Sequence, residues 1–137
     1  MRYSNPDSRD YEFVDKMVAG LVLSGSDAKS LRVSGVQFNG SKVEIINNIP
    51  TVFNLTFTPY RFASADVIDK TGSRQLLLTQ KEIKKLISFR NQKYMLIPTS
   101  IFLQGKWFKL EIGIGRKLRK FEKRQKIKDQ EIKQGIY

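Results

Sequence analysis

Between residues 106 and 114 every second side chain is apolar: Phe108, Leu110, Ile112 and Ile114 alternate with Trp107, Lys109 and Glu111. An α-helix would scatter those four around its circumference, whereas an extended strand puts them on one face. The preceding run, Tyr94 to Leu103, joins it through Gln104-Gly105, so the pattern predicts an antiparallel hairpin. Pro98 has no amide hydrogen to contribute to a ladder, which predicts an edge position or a bulge there.

The same period recurs upstream. Val43 and Ile45 face away from Lys42 and Glu44, Asn47-Asn48 supplies a turn, and Phe53, Leu55 and Phe57 then alternate with Asn54 and Thr56. Ala19 to Ser24 reads as the first strand, closed by Gly25. In Arg74-Gln75-Leu76-Leu77-Leu78, an extended chain puts Leu76 and Leu78 in the core and turns Leu77 the opposite way. Two helices interrupt the strands. Ser26 suits an N-cap for a short helix over Asp27 to Arg32, with Asp27 near the positive end of its dipole and Ser34-Gly35 at its end. Thr79-Gln80-Lys81-Glu82 matches a capping box, and Ile83, Leu86 and Ile87 follow at helical spacing. Residues 1–8 read as loose, and Pro59 to Ser73 as a long exposed loop. The expectation is a mainly β protein with small helices, an oligonucleotide-binding-like Greek-key antiparallel barrel of about five strands.

Composition sets the chemistry. Over 137 residues, 25 Lys+Arg face 13 Asp+Glu, a net charge of +12. Residues 116–137 carry nine of those bases and three of the acids, half the excess on the last 22 positions. That divides the chain into a folded body over 1–115 and a basic tail over 116–137. Such a charge distribution points to a polyanion, nucleic acid ahead of an anionic membrane. The tail's Leu118, Phe121, Ile127, Ile132 and Ile136 are too irregular for a membrane-surface helix. The absence of Cys and His removes thiol nucleophiles, disulfides, the Ser/His triad and the commonest metal ligands. The longest apolar stretch falls far short of the roughly 20 residues of a membrane span. A cytoplasmic monomer with no cofactor, no metal and no membrane partner is expected.

Lys29 and Arg32, three residues apart on one helix face, are candidate phosphate contacts, although such a pair alone is more often an ordinary solvated helix face. Leu77 can pack against a sugar or base, and Trp107 can serve as a stacking platform, although a single aromatic on a strand more often packs. Gly113-Ile114-Gly115-Arg116 lacks the third Gly and the strand-then-helix setting of a dinucleotide fingerprint.

In combination these segments are specific: Tyr11 upstream of Ala19-Gly20-Leu21, then Gly25-x-Asp27-x-Lys29-Ser30-Leu31-Arg32, Pro59-Tyr60, Leu76-Leu77-Leu78 before Lys81-Glu82, and Gly113-Ile114 leading into Glu122-Lys123-Arg124. The series, running from about Arg9 to Glu131, resembles the SsrA-binding protein family (small protein B), the partner of transfer-messenger RNA. The resemblance implies a non-enzymatic barrel that grips the tRNA-like domain of that RNA at its elbow. It also implies an adaptor that stands in for a missing anticodon half and helps the charged RNA, carried by elongation factor Tu, enter the A site of a stalled ribosome. The tail would become helical in the empty mRNA channel, against small-subunit rRNA. By the same resemblance Tyr11, Leu77 and Lys109 face the RNA, with Lys29, Arg32 and Arg74 as neighbours. The tail residues are Arg116, Lys117, Arg119, Lys120, Lys123, Arg124, Lys126 and Lys128. The chain departs from the family pattern at Val18, where a Glu is usual, at Asp27 for Glu, and at Gln75 for a base.

Two other classes compete. An ordinary ribosomal protein, or a general RNA-binding barrel, would co-sediment stoichiometrically with subunits. An RNA-modifying or cleaving enzyme built on Lys, Glu or Tyr would show turnover on labelled RNA.

Overall fold

The computed structural model describes residues 2–33, 35–57 and 72–119. In chain order the elements are β1 (Arg2–Ser4), a 3-10 turn (Pro6–Asp10), β2 (Tyr11–Leu21), α1 (Gly25–Val33), β3 (Val36–Ile46), β4 (Ile49–Phe57), β5 (Arg74–Leu77), α2 (Gln80–Asn91), β6 (Met95–Gln104) and β7 (Trp107–Lys117). Among the described residues the strands form one mainly antiparallel sheet of seven, in the order β1-β6-β7-β2-β5-β4-β3. The expected barrel does not close by strand pairing, because β1 and β3 are left as the two edges. The sheet nevertheless curls until β3 packs against β6.

The hairpin that most constrained the sequence forms as β6–β7, with Gln104 opposite Trp107 and Phe108, Leu110, Ile112 and Ile114 buried. Its register shifts between Pro98 and Ser100, the bulge that proline's missing amide demands. Val52, Leu55, Leu76, Leu86, Leu96 and Ile101 complete one continuous core. Leu76 is buried and Leu77 turned outward, as the alternation requires. Thr79 and Glu82 make the reciprocal capping box at the start of α2, and Ile83 and Leu86 are its buried face.

Four expectations are corrected. The N-terminus is not loose: Asn5 is buried, donating its side-chain amide to the Pro98 carbonyl at 2.7 Å and its backbone amide to that of Thr99 at 2.8 Å. The strand expected from Ala19 is β2 and starts at Tyr11, and a register shift between Phe13 and Asp15 hides its period. Helix α1 is capped by Ser24, not Ser26. The Ser24 hydroxyl accepts from the Asp27 amide, and the Asp27 carboxylate accepts from the Ser24 amide. In β4, Leu55 and Phe57 face the core as expected but Val52 does so in place of Phe53, because Asn54 adopts φ 60° opposite a shift between Phe38 and Lys42 in β3. The Pro59 to Ser73 loop lies almost wholly outside the described residues, as do Pro59 and Tyr60.

Gly115 is required where β2 and β7 meet. A Cβ there would sit 2.0 Å from the Glu12 carbonyl oxygen, an overlap no side-chain rotation relieves. Gly115→Ala is therefore expected to destabilise the fold by about 1–3 kcal/mol or more. Gly25→Ala, where nothing lies within 4 Å, serves as the neutral control in urea denaturation.

Candidate nucleic-acid interface

Directly opposite residues in an antiparallel pair point to the same face. Arg2 lies opposite Phe102, Phe102 opposite Lys109, Lys109 opposite Gly20, and Gly20 opposite Leu77. Five adjacent strands thus present one transverse row, Arg2–Phe102–Lys109–Gly20–Leu77, spanning about 19 Å at the usual strand spacing. Leu77 is 59% exposed. Gly20 keeps the middle of the row low: a Cβ on it would come within 3.2 Å of the Leu77 Cβ. At the other end the Arg2 guanidinium lies 4.6 Å from the centre of the Phe102 ring.

Two residues along β7 from Lys109, and so on the same face, stands Trp107, 72% exposed. Packing was the more frequent role for such an aromatic. Here the indole is open to solvent, the condition for stacking. The Arg32 guanidinium lies 5.9 Å from the Phe108 ring centre, which brings α1 to the start of β7. Lys29, also exposed, precedes it by one helical turn. Among the described residues, Lys29 and Lys109 make no ion pair, so both charges are available to an anion. The next row holds Val18, Glu111 and Ser100. The Glu111 carboxylate accepts from Thr99 Oγ1 at 2.8 Å and lies 3.6 Å from Lys16 Nζ, so its charge is compensated.

Two expected contacts are placed elsewhere. Arg74 is not a surface cation: it is 6% exposed, and Nε and Nη2 donate to the two Asp27 carboxylate oxygens at 2.7 and 2.9 Å. Its guanidinium also lies 4.6 Å from the centre of the Phe57 ring. Asp27, expected to serve only the helix dipole, thereby ties α1 to β5. Tyr11 is buried and lies opposite Lys117, nine residues along β2 from Gly20. That separation is about 30 Å in an extended chain. Tyr11 instead borders a cavity of about 340 Å³ with Asp7, Asp10, Lys42, Met95 and Lys117. Burial, followed by the nearby Asp7 and Asp10 charges, raises its phenol above the ordinary value.

The strand also takes in part of the expected tail. β7 extends through Arg116 and Lys117, Arg116 pairs with Glu12 at 3.1 Å, and Leu118 is buried with its amide donating to the Asp10 carbonyl at 2.8 Å. Arg119 is exposed. Lys120, Lys123, Arg124, Lys126 and Lys128 lie outside the described residues. Sequence reasoning missed Arg2 and Phe102. Phe102 lay in a strand already drawn, but nothing in residues 1–8 signalled β1. Among the described residues no cluster of three or more acidic, Cys or His side chains is disposed to hold a metal, and no helix is long and apolar enough to cross a membrane.

A curled antiparallel sheet that presents a cation-bearing row of aromatic and aliphatic side chains on one face belongs to the class whose strand surfaces suit a polyanion. Comparison narrows that class. The chain belongs to the SmpB protein family, whose pattern matches residues 4–137. It is 36% identical over 135 residues to the SsrA-binding protein of Pseudothermotoga lettingae, covering 97% of this chain and 91% of that one. The SsrA-binding protein of Persephonella marina is 35% identical over 128 residues, covering 93% and 84%. A solved structure described as "tmRNA-SmpB: a journey to the center of the bacterial ribosome" superposes with a TM-score of 0.72 at 28% identity, covering 92% of this chain and 94% of the other.

Proposed function

We propose that this protein is an RNA-binding adaptor of trans-translation, which holds transfer-messenger RNA on the Leu77–Gly20–Lys109 row and accompanies it into a stalled ribosome. The carrying observation is that row: residues from β2, β5 and β7, singled out in the sequence separately, stand in one register on an exposed face. Family membership supports the choice of RNA. The packing of β3 on β6 supports reading the open sheet as a rolled, oligonucleotide-binding-like barrel.

The mechanism divides by chemistry. Lys109, Lys29 and Arg32 neutralise phosphates, a contribution that makes affinity salt-dependent without reading sequence. Leu77 and Trp107 offer flat contact to sugars or unstacked bases. Folded RNA exposes few readable base edges, so the shape of the tRNA-like domain sets specificity. The basic residues beyond Arg119 supply positive charge toward ribosomal RNA. The adaptor is a cytoplasmic monomer and meets elongation factor Tu only through the charged RNA.

Competition tests the reading. Transfer-messenger RNA is expected to displace bulk tRNA and rRNA fragments from the protein at moderate salt, and equal affinity for all three would refute it. Lys109→Ala is expected to lower the slope of log affinity against log salt by about one while leaving the melting temperature unchanged.

A further inference from the structure

A groove of about 410 Å³ opens between α2 and β2, lined by Lys16, Met17, Val18, Lys81, Glu82 and Lys85. Its floor includes Val18, 45% exposed and two residues from Gly20 on the same strand face. Its wall, α2, begins three residues after Leu77. The groove therefore runs directly off the end of the binding row.

The charges around it are not equivalent. Lys85 Nζ lies 3.0 Å from the Asp15 carboxylate. That hydrogen bond, with one from the Lys16 amide, holds the Asp15 carboxyl below its ordinary range. Lys16 is engaged by Glu111 at 3.6 Å. The Glu82 carboxylate is turned back onto the Thr79 amide and hydroxyl, each at 3.0 Å. Among the described residues, Lys81 and Lys84 make no ion pair. Both are exposed and three residues apart, neighbours on one helix face opposite the buried Ile83 and Leu86. Lys81 lines the groove and Lys84 stands one turn further along α2, outside its lining, so two uncompensated ammonium groups lead outward from the aliphatic floor: phosphates meet the lysines and the ribose rests on Val18.

We propose that Lys81, Lys84 and the Val18 floor form a second backbone-binding track, which takes the phosphate chain of the same RNA where it leaves the Leu77–Lys109 row. The track rests on the function proposed above. It adds electrostatic affinity next to Val18, a position that carries no charge of its own.

The test uses the full chain. Lys81→Gln/Lys84→Gln removes no ion pair and keeps good helix formers, so thermal melting is expected to match the unaltered protein. Binding to transfer-messenger RNA is measured over a salt series and mapped by hydroxyl-radical footprinting. The slope of log affinity against log salt is expected to fall by about two, one per lysine. A stretch of protected phosphates contiguous with the body footprint is expected to disappear. Lys42→Gln/Lys93→Gln, with the same charge change elsewhere, is expected to leave the footprint intact. An unchanged slope with the unaltered protein binding normally overturns the track alone, as does an equal fall in the control. Failure of the unaltered protein to bind the RNA overturns the functional reading and the track with it.

Discussion

Arg74→Met is expected to lower the free energy of unfolding by about 3–5 kcal/mol, the usual effect of stranding one partner of a buried ion pair. Against a typical domain stability of about 5–15 kcal/mol, that approaches loss of the fold at physiological temperature. The size follows from geometry. Asp27 is buried, and both of its carboxylate oxygens accept from Arg74; once the guanidinium is gone, a buried carboxyl is left without that partner. The companion variant Asp27→Leu/Arg74→Met removes both charges and fills the space, and it should recover most of the loss. Urea denaturation of the two variants separates the possibilities. If the single variant were as stable as the original and lost only RNA affinity, Arg74 would be an RNA contact after all.

The second large effect concerns the tail, and it depends on where the cut is made. Deleting residues 120–137 is expected to leave folding unchanged and RNA affinity within a few-fold, while abolishing rescue in a stalled-translation assay. That segment holds six basic and three acidic residues, a net +3, so it contributes little to overall attraction. Deleting 116–137 is a different experiment. It removes the end of β7, the Arg116–Glu12 pair and the Leu118 amide bond to Asp10, and it exposes surface that a buried leucine side chain covers, worth about 1.5–3 kcal/mol. Its expected outcome is a destabilised body as well as failed rescue, with the melting temperature distinguishing the two cuts. A 120–137 deletion that still rescues would sink the division of labour between body and tail.

These cases show which features local chemistry writes into a sequence. The β6–β7 hairpin and the Thr79 capping box were legible because each is fixed by neighbours a few residues apart. Leu77 was legible too, since period-two alternation around a buried Leu76 leaves it one direction to point. Long-range pairings were not. Nothing near Arg74 announces that Asp27, 47 positions earlier, will bury it, so an arginine at a strand start looked like a surface cation. Register shifts also hid structure. The shift between Phe13 and Asp15 breaks the alternation that would have revealed the first half of β2, and the positive φ at Asn54 reversed the facing of Phe53. The strand that holds Tyr11 could not be read locally either, and the residue, named as RNA-facing by the family resemblance, lies buried nine residues along β2 from Gly20.

Strand β7 connects the two ends of this arrangement. Lys109 sits in the binding row, and Lys117 is the last strand residue before Leu118 is clamped to Asp10. Eight residues of extended chain separate them by about 27 Å. Because neighbouring strands hold both ends, that interval behaves as a gauge block between the proposed RNA-binding row and Leu118. Lengthening it by a single residue would rotate one end relative to the other by half a pleat. Adding two would displace Leu118 by about 7 Å while preserving its facing. On the proposed reading, the spacing between the RNA and the point where the chain continues toward the ribosome is machined into the sheet.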